Sequence, residues 1–166
     1  MFLPARETVR TIPASQRGDA FLGTDFSYAD IQSELKFDLA DWNFEHRGRE
    51  TVEGRVLHRL AGTPKTERIA RELRYGGFDA LIDAESWMPV RIEFSDLRGR
   101  PLKSIAVREF KSIAGIWTPL DVVATNQQNA HSSRFVFRDI EYPVDLPDSL
   151  FDSRSLGRRL PDGAGD

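Results

Sequence analysis

The 166-residue sequence contains no cysteine and only three histidines, His46, His58 and His131. The absence of cysteine excludes a disulfide framework, thiol catalysis and thiolate metal sites. The histidines are scattered and fit no ligand spacing, so we expect no metal site. No stretch approaches the roughly 18 apolar residues of a membrane-spanning helix. Thiol and metal chemistry are therefore not expected of this chain.

A charge excess of one sign is also missing. The chain has 23 basic and 26 acidic residues, a net charge of -3, and both signs occur along its whole length. This mixture produces no extended field that would hold nucleic acid or an anionic membrane. We therefore expect no nucleic-acid partner, and we interpret Arg158-Arg159 as part of a solvated tail.

Catalytic and nucleotide-binding motifs are absent as well. There is no GxSxG nucleophile turn, and Gly76-Gly77 lacks the strand, helix and lysine of a phosphate-binding loop. Asp19 and Asp25 form a carboxylate pair without a convergent third group. The tripeptide Arg17-Gly18-Asp19 is too short to indicate an integrin ligand, and we expect its glycine to make a turn. The sequence predicts a protein that is not an enzyme and uses no cofactor.

The composition is that of a folded domain. Forty per cent of the residues are hydrophobic and thirty per cent are charged, with eleven phenylalanines and three tryptophans. A chain of this length can bury roughly 70% of its extended surface around one core. We predict a single domain over residues 1–155 and a flexible tail over residues 156–166.

Short alternating runs predict antiparallel strands. Val90, Ile92 and Phe94 fall on one face of such a run, whereas Arg91 and Glu93 fall on the other. The pattern predicts about eight strands with one or two short helices. Pro119 favours an edge strand or a bulge. The other strand candidates are Glu7 to Ile12, Asn43 to Arg47, Arg55 to Leu60, Phe78 to Asp83, Leu102 to Phe110, Ile116 to Thr125 and Ser133 to Glu141.

Two helices are predicted from capping patterns. Ser27 as N-cap and Asp30 at the third position predict a helix that begins at Tyr28 and ends by Leu35. Thr63 as N-cap with Pro64 at the first position predicts a second helix that stops at Gly76-Gly77.

The segment from Arg17 to Tyr28, RGDAFLGTDFSY, is the most specific stretch of the chain. Together with Phe2-Leu3-Pro4 and Val9 to Ile12 before it, this segment resembles the LolA-like family of outer-membrane lipoprotein-sorting proteins. Members often carry a similar RG-x-x-F-x-G-[ST]-DFSY motif. Asp83 to Phe94 is similar to the family's strand-turn-strand element, and Leu146 to Phe151 is similar to its C-terminal closing motif.

The resemblance implies a mainly β (α+β) fold, a curved antiparallel sheet that forms an unclosed β-barrel of the LolA/LolB type with helices covering its mouth. It also implies a non-enzymatic periplasmic carrier or chaperone for lipid or lipoprotein acyl chains, with an envelope transporter as a further partner. Members usually have a signal peptide and several strands before the Leu-Pro element, so the chain resembles the family without its N-terminal part. If Met1 is the true start, the lack of a signal peptide predicts a cytoplasmic protein.

Two interpretations of the apolar residues remain open at this stage. They either fill a core, or they line an apolar cavity and its lid. An accessory protein-interaction module of a transport system, able to dimerise through an exposed sheet edge, is the alternative to a carrier. A deep apolar groove favours the carrier, and a filled interior with a flat apolar patch favours the module. The candidate ligand-binding residues are Phe21, Leu22, Phe26, Trp87, Val90, Ile92, Phe94, Ile105, Val107, Phe135 and Phe137.

Overall fold

The computed structural model describes residues 2–3, 8–9, 11–33, 37–142 and 148–152. Two short strands, β1 (Phe2–Leu3) and β2 (Thr8–Val9), pair with each other. Seven further strands form one antiparallel sheet in chain order, which confirms the predicted meander of hairpins. They are β3 (Trp42–Val52), β4 (Arg55–Pro64), β5 (Gly77–Asp83), β6 (Pro89–Ser95), β7 (Pro101–Ile113), β8 (Ile116–Asn126) and β9 (Ser132–Val136).

The sheet has two different faces because apolar and polar residues alternate along its strands. On β6 the side chains of Ile92 and Phe94 are buried, whereas those of Arg91 and Glu93 are exposed. We call the buried side the apolar face and the opposite side the charged face. Buried residues continue the apolar face in register across four strands: Ala80, Ile92, Ile105 and Ala124.

The sheet is curved and does not close. Over the residues that the structure describes, β3 and β9 each pair with a single neighbour and not with each other. Two helices accompany the sheet, α1 (Tyr28–Gln32) and α2 (Glu67–Leu73). The predicted α+β fold with an unclosed barrel of the LolA/LolB type is confirmed.

The first helix begins where the capping pattern predicts. The backbone N–H of Asp30 donates to Ser27 Oγ over 3.2 Å, and the backbone N–H of Ser27 donates to Asp30 Oδ2 over 2.6 Å. This reciprocal capping box satisfies two donors that the helix itself leaves unpaired. The helix ends at Gln32, within the predicted limit of Leu35.

The predicted start of the second helix is wrong. Its N-cap is Thr66, whose Oγ1 accepts a hydrogen bond from the backbone N–H of Ile69 over 3.2 Å. Thr63 and Pro64 remain paired as the last residues of β4. Thr63 and Pro64, which the capping pattern assigns to the helix, are therefore part of the sheet.

Three strand predictions need correction. The last strand ends at Val136 and not at Glu141, and Asp139, with φ of 54°, has a left-handed conformation that interrupts extended chain. Pro119 lies in β8, an interior strand, and the register shift beside it bears out the bulge and not the edge. Of the candidate from Glu7 to Ile12, Thr8 and Val9 form β2 and Thr11 and Ile12 lie outside any strand, whereas residues 7 and 10 lie outside the described residues. The predicted tail, residues 156–166, lies outside the described residues.

Residues 17–32, which we call the cover segment, are docked on α2 through Gly18. The Gly18 N–H donates to the carbonyl oxygen of Glu72 over 2.9 Å. A Cβ atom at position 18 would lie 2.6 Å from the carbonyl oxygen of Leu73. The close approach of two backbones therefore requires glycine here. The flanking charges are engaged within the protein, Arg17 with Asp41 and Asp19 with Arg74.

We expect the substitution Gly18→Ala to lower the free energy of unfolding by about 2 kcal/mol or more, because the new methyl group meets backbone that has no room to shift. Urea denaturation followed by tryptophan fluorescence measures the change. Gly23→Ala is the matched control, since Gly23 has φ of +79° and open space at its Cβ position. That variant should lose only about 1 to 2 kcal/mol from backbone strain. A smaller loss at position 18 than at position 23 would contradict this docking.

Candidate functional site

The apolar face carries a cluster of aromatic side chains along the β3 to β6 half of the sheet. Phe37 stacks on Phe78 with ring centroids 3.9 Å apart, and Trp42 meets the same ring edge to face at 4.9 Å. Tyr75 stacks on Phe94 at 4.2 Å. Offset and edge-to-face contacts of this kind stabilise a core beyond the area they bury. This cluster is the largest concentration of aromatic surface in the described chain.

The cover segment lies over this face and places a phenylalanine on it. The Phe26 side chain is 1% exposed and stacks on Phe135 of β9, with centroids 4.5 Å apart. The loop before it is closed by the Phe21 N–H, which donates to the Phe26 carbonyl oxygen over 2.7 Å. The loop residue Phe26 thus covers apolar surface that the sheet alone would leave open.

A buried ion pair joins the cover segment to the middle of the sheet. Lys103 of β7 lies on the apolar face, and its ammonium group binds the carboxylate of Asp30. Lys103 Nζ also donates to the carbonyl oxygen of Asp25 over 3.2 Å. The side chains of Lys103 and Asp30 are both less than 10% exposed. Removing one partner of such a pair leaves an uncompensated buried charge, which is strongly unfavourable.

A hydrogen-bond network extends from this ion pair. The Tyr75 hydroxyl donates to Asp30 Oδ1 over 2.9 Å and lies 3.1 Å from Ser27 Oγ. Because the tyrosine has a single hydroxyl proton, Ser27 is the donor in the second bond. Burial, together with the nearby charge of Asp30, raises the pKa of Tyr75 well above its usual value. The ring of Tyr75 also lies 5.0 Å from Lys103 Nζ, within the range of a cation–π contact.

The middle of the cover segment is attached to β9 through Asp25. Asp25 Oδ2 accepts hydrogen bonds from Ser133 Oγ and His131 Nδ1, both over 2.7 Å. The Asp25 N–H donates to Ser133 Oγ over 3.1 Å. The attachments on α2, at Lys103 and on β9 therefore all hold the cover segment, in addition to the Arg17–Asp41 ion pair.

Little space remains between the cover segment and the apolar face. The cavity beneath α1, lined by Trp42, Tyr75 and Ile105 among others, has a volume of about 40 Å³. Pockets that hold small molecules are typically about 300 to 1,000 Å³. A cavity of about 650 Å³ lies along β3 to β6, and its lining combines aromatic residues such as Phe78 and Phe94 with charged residues such as Arg47 and Asp79. Beneath α1 the apolar interior is therefore filled in this conformation.

The structure brings six of the eleven predicted site residues together in the apolar core cluster or against it. These residues are Phe26, Ile92, Phe94, Ile105, Val107 and Phe135. Their side chains line the apolar face or, in the case of Phe26, cover it.

The other five lie outside that cluster. Leu22 and Trp87 are each 69% exposed, and Phe137 is 47% exposed. Phe21 is half-buried and meets Tyr28 edge to face at 5.6 Å. Val90 is also half-buried. These five side chains are thus exposed or half-buried and do not belong to the apolar core cluster.

Trp87 belongs to a small surface cluster with two histidines. Its ring stacks on His58 at 5.3 Å, and His46 Nε2 lies 3.1 Å from His58 Nδ1. Partial burial lowers the pKa of His58, and the neighbouring Arg49 and His46 lower it further. Over the described residues no group of three or more metal-ligating side chains comes together.

The sequence reasoning missed several buried members of the site: Asp30 as an ion-pair partner, Trp42, Tyr75, Phe78 and Lys103. The position of Lys103 could have been recognised from the sequence. The two-residue period of β7 places it on the same face as Ile105 and Val107, and a charge on an apolar face requires a partner. The partner itself lies 73 residues earlier in the chain.

Among the described residues, no helix is both long enough and apolar enough to span a bilayer.

A family model described as an uncharacterised protein matches residues 1–158. The chain belongs to this family. Comparison with curated proteins gives no match.

Solved structures share the fold of this family member. A Vibrio parahaemolyticus domain, provisionally described as an outer membrane lipoprotein-sorting protein, gives a TM-score of 0.83 at 23% identity, over 95% of this chain and 64% of its own. A DUF1329 family protein from Desulfovibrio piger gives a TM-score of 0.82 at 25% identity, over 93% of this chain and 62% of its own. A LolA superfamily protein from Nitrosomonas europaea gives a TM-score of 0.63 at 19% identity, over 82% of this chain and 59% of its own.

The resemblance to LolA-like proteins is thereby confirmed for the fold. The chain spans 59% to 64% of the length of these three structures. What those proteins bind is not carried over to this chain by the fold alone.

We expect Lys103→Met to lower the free energy of unfolding by about 3 to 5 kcal/mol, because the Asp30 carboxylate then stays buried without its cation. Thermal unfolding followed by circular dichroism measures this loss. Amide hydrogen exchange should show the earliest opening at residues 25–30, whose attachment to the sheet is lost.

Lys111→Met is the control for this substitution. Lys111 lies on the same strand, β7, but its side chain is exposed. Its replacement should change the free energy of unfolding by no more than about 0.5 kcal/mol. Equal effects at positions 103 and 111 would show that the buried pair does not hold the cover segment.

Proposed function

We propose that this protein is a non-enzymatic carrier that binds acyl chains of lipids or lipoproteins on the apolar face of the sheet, with the cover segment acting as a lid. The supporting observation is that Phe26, from a loop, occupies the apolar face beside Phe135. A loop side chain can leave such a position without unfolding the sheet, whereas a strand side chain cannot.

Exchange of the cover segment for an acyl chain replaces one set of apolar contacts by another. An acyl chain that replaces the cover segment buries its own methylene groups, each contributing about 0.8 kcal/mol. Those contacts offset the loss of the Phe26 contacts and of the polar attachments at Lys103 and Ser133. Binding then proceeds by opening of the lid, occupation of the apolar face, and closure or partial closure over the cargo.

The margin of the face fits this role. Phe44, Trp87 and Phe137 are each more than a third exposed although their rings are large and apolar. Exposed aromatic side chains beside a covered apolar face supply a first contact for a hydrophobic cargo. The likeness of the fold to a domain described as lipoprotein-sorting and to a LolA superfamily protein agrees with this function. For a carrier of this kind we also propose the periplasm as the compartment and an envelope transporter as a partner.

A second candidate is an interaction module without a lipid cavity. Two observations favour it: the interior beneath α1 is filled in this conformation, and, as far as the structure describes the chain, the outer edges of β3 and β9 are unpaired. Unpaired strand edges are sites for β-augmentation or dimerisation.

An engineered lock of the lid tests the carrier. The chain has no cysteine, so Asp25→Cys with Ser133→Cys introduces a single thiol pair at the point where the cover segment contacts β9. A dansyl-labelled fatty acid serves as probe, and its fluorescence measures binding under reducing and oxidising conditions. We expect binding in the reduced state and at least about tenfold weaker binding in the oxidised state, because the open conformation is removed.

The control pair is Thr51→Cys with Val56→Cys, which are register partners in the β3–β4 hairpin. Opposite residues of antiparallel strands are close enough for a disulfide, and this pair does not involve the lid. It should bind the probe equally in both redox states. Equal binding by the oxidised lid pair would remove the lid from the mechanism. If neither reduced variant nor the unmodified protein binds the probe, the carrier is wrong and the interaction module is favoured.

A further inference from the structure

A cleft of about 760 Å³ lies between the cover segment, the end of α2 and the loop that joins β6 to β7. Its lining contains five basic and two acidic side chains, in a chain whose net charge is -3. One of the five, Lys103, is already paired with the buried carboxylate of Asp30, which leaves an excess of two positive charges. Segments that are far apart in sequence supply this excess. The charged lining residues are Arg71, Arg74, Arg98, Arg100, Lys103, Asp25 and Asp96.

Both acidic residues of the cleft are already bound within the protein. Asp25 is held by Ser133 and His131. Asp96 accepts from the backbone N–H groups of Arg100 and Arg98 and from the Arg100 guanidinium, and these bonds lower its pKa to about 2. Neither carboxylate needs a further cation from the cleft.

Of the four arginines, Arg100 is bound to Asp96, whereas the other three are available to a ligand. Within the part of the chain that the structure describes, the Arg98 guanidinium has no acidic partner. Arg71 pairs with Glu67 over 3.2 Å, but these side chains are 65% and 90% exposed. Arg74 pairs with Asp19, also at the surface. Exposed ion pairs contribute little to stability, so these groups can turn to an anion at small cost.

We propose that this arginine cleft binds the phosphate of an anionic glycerophospholipid whose acyl chains lie on the apolar face. The planar guanidinium group matches phosphate with two parallel hydrogen bonds. Leu97 and Leu102 in the same lining provide apolar surface for the start of the acyl chains. Tyr75 and Lys103 line the cleft and also belong to the buried network beneath the lid, so the cleft lies directly beside that network. This inference rests on the carrier function and names the class of its cargo.

Three dioctanoyl lipids with identical acyl chains test the proposal: phosphatidylglycerol, phosphatidylcholine and uncharged diacylglycerol. Inorganic phosphate alone is the fourth ligand. Isothermal titration calorimetry below the micelle concentration of each lipid gives the dissociation constants. We expect phosphatidylglycerol to bind about tenfold more tightly than diacylglycerol, the effect of about one charge-assisted hydrogen bond. This preference should shrink at high salt because the cleft is open to solvent.

Two double variants locate the effect. Arg71→Gln with Arg98→Gln removes two cleft charges and should reduce the preference for phosphatidylglycerol to about twofold or less, with diacylglycerol binding unchanged. Arg68→Gln with Arg91→Gln removes two charges elsewhere, from α2 and from the charged face, where Arg68 pairs with Glu72 and Arg91 with Glu93. This control should keep the full preference.

The outcomes separate this inference from the carrier function. Equal binding of phosphatidylglycerol and diacylglycerol by the unmodified protein, or an unchanged preference in the cleft variant, overturns the headgroup site and leaves the carrier intact. Binding of inorganic phosphate without any lipid shows an anion site with no lipid role and overturns the inference. Failure of all three lipids, diacylglycerol included, overturns the carrier and this inference together.

Discussion

The arrangement of the apolar face depends on one charge placed where the sheet would otherwise be apolar. Lys103 lies in the inward row of β7, and a buried ammonium group is tolerated only with a hydrogen-bonded counter-charge. Asp30 supplies that charge from the cover segment. For its carboxylate to reach Lys103, α1 must begin at Tyr28, and the chain before it then places Phe26 on Phe135. The position of α1 within the cover segment thus follows from one electrostatic requirement, and the contacts with α2 and β9 hold the rest of the segment.

The same interaction explains why the RGDAFLGTDFSY segment is so specific without containing catalytic chemistry. Ser27 and Asp30 cap the helix and also bind Tyr75, so these two side chains each serve local and long-range structure. Gly18 allows contact with α2, and Asp25 reaches β9. A buried ion pair adds little net stability compared with an apolar replacement, but it selects one arrangement among many. The side-chain chemistry of this segment is that of attachment.

Local patterns predicted most of the fold, and long-range contacts account for what they missed. The two-residue alternation places Ile92 and Phe94 on the buried side, although Val90 in the same row is only half-buried. The Ser27 cap locates α1 correctly. The start of α2 depends on whether β4 continues through Pro64, which is decided by pairing with β3. The arginine cleft combines residues 71–74 with 98–103, and no window of sequence contains both. The overall composition therefore does not reveal the local excess of positive charge, which arises only when the fold brings these segments together.

The position of Phe26 makes the cover segment an internal competitor for the surface that a cargo would use. In a carrier built in this way, the observed dissociation constant equals the intrinsic constant of the open sheet divided by the fraction of molecules that are open. The strength of the Lys103–Asp30 attachment therefore tunes affinity without any change in the residues that touch the cargo. A firmly attached cover favours release to an acceptor, and a loosely attached one favours retention. Transfer in one direction then depends on the acceptor binding more tightly than the closed carrier.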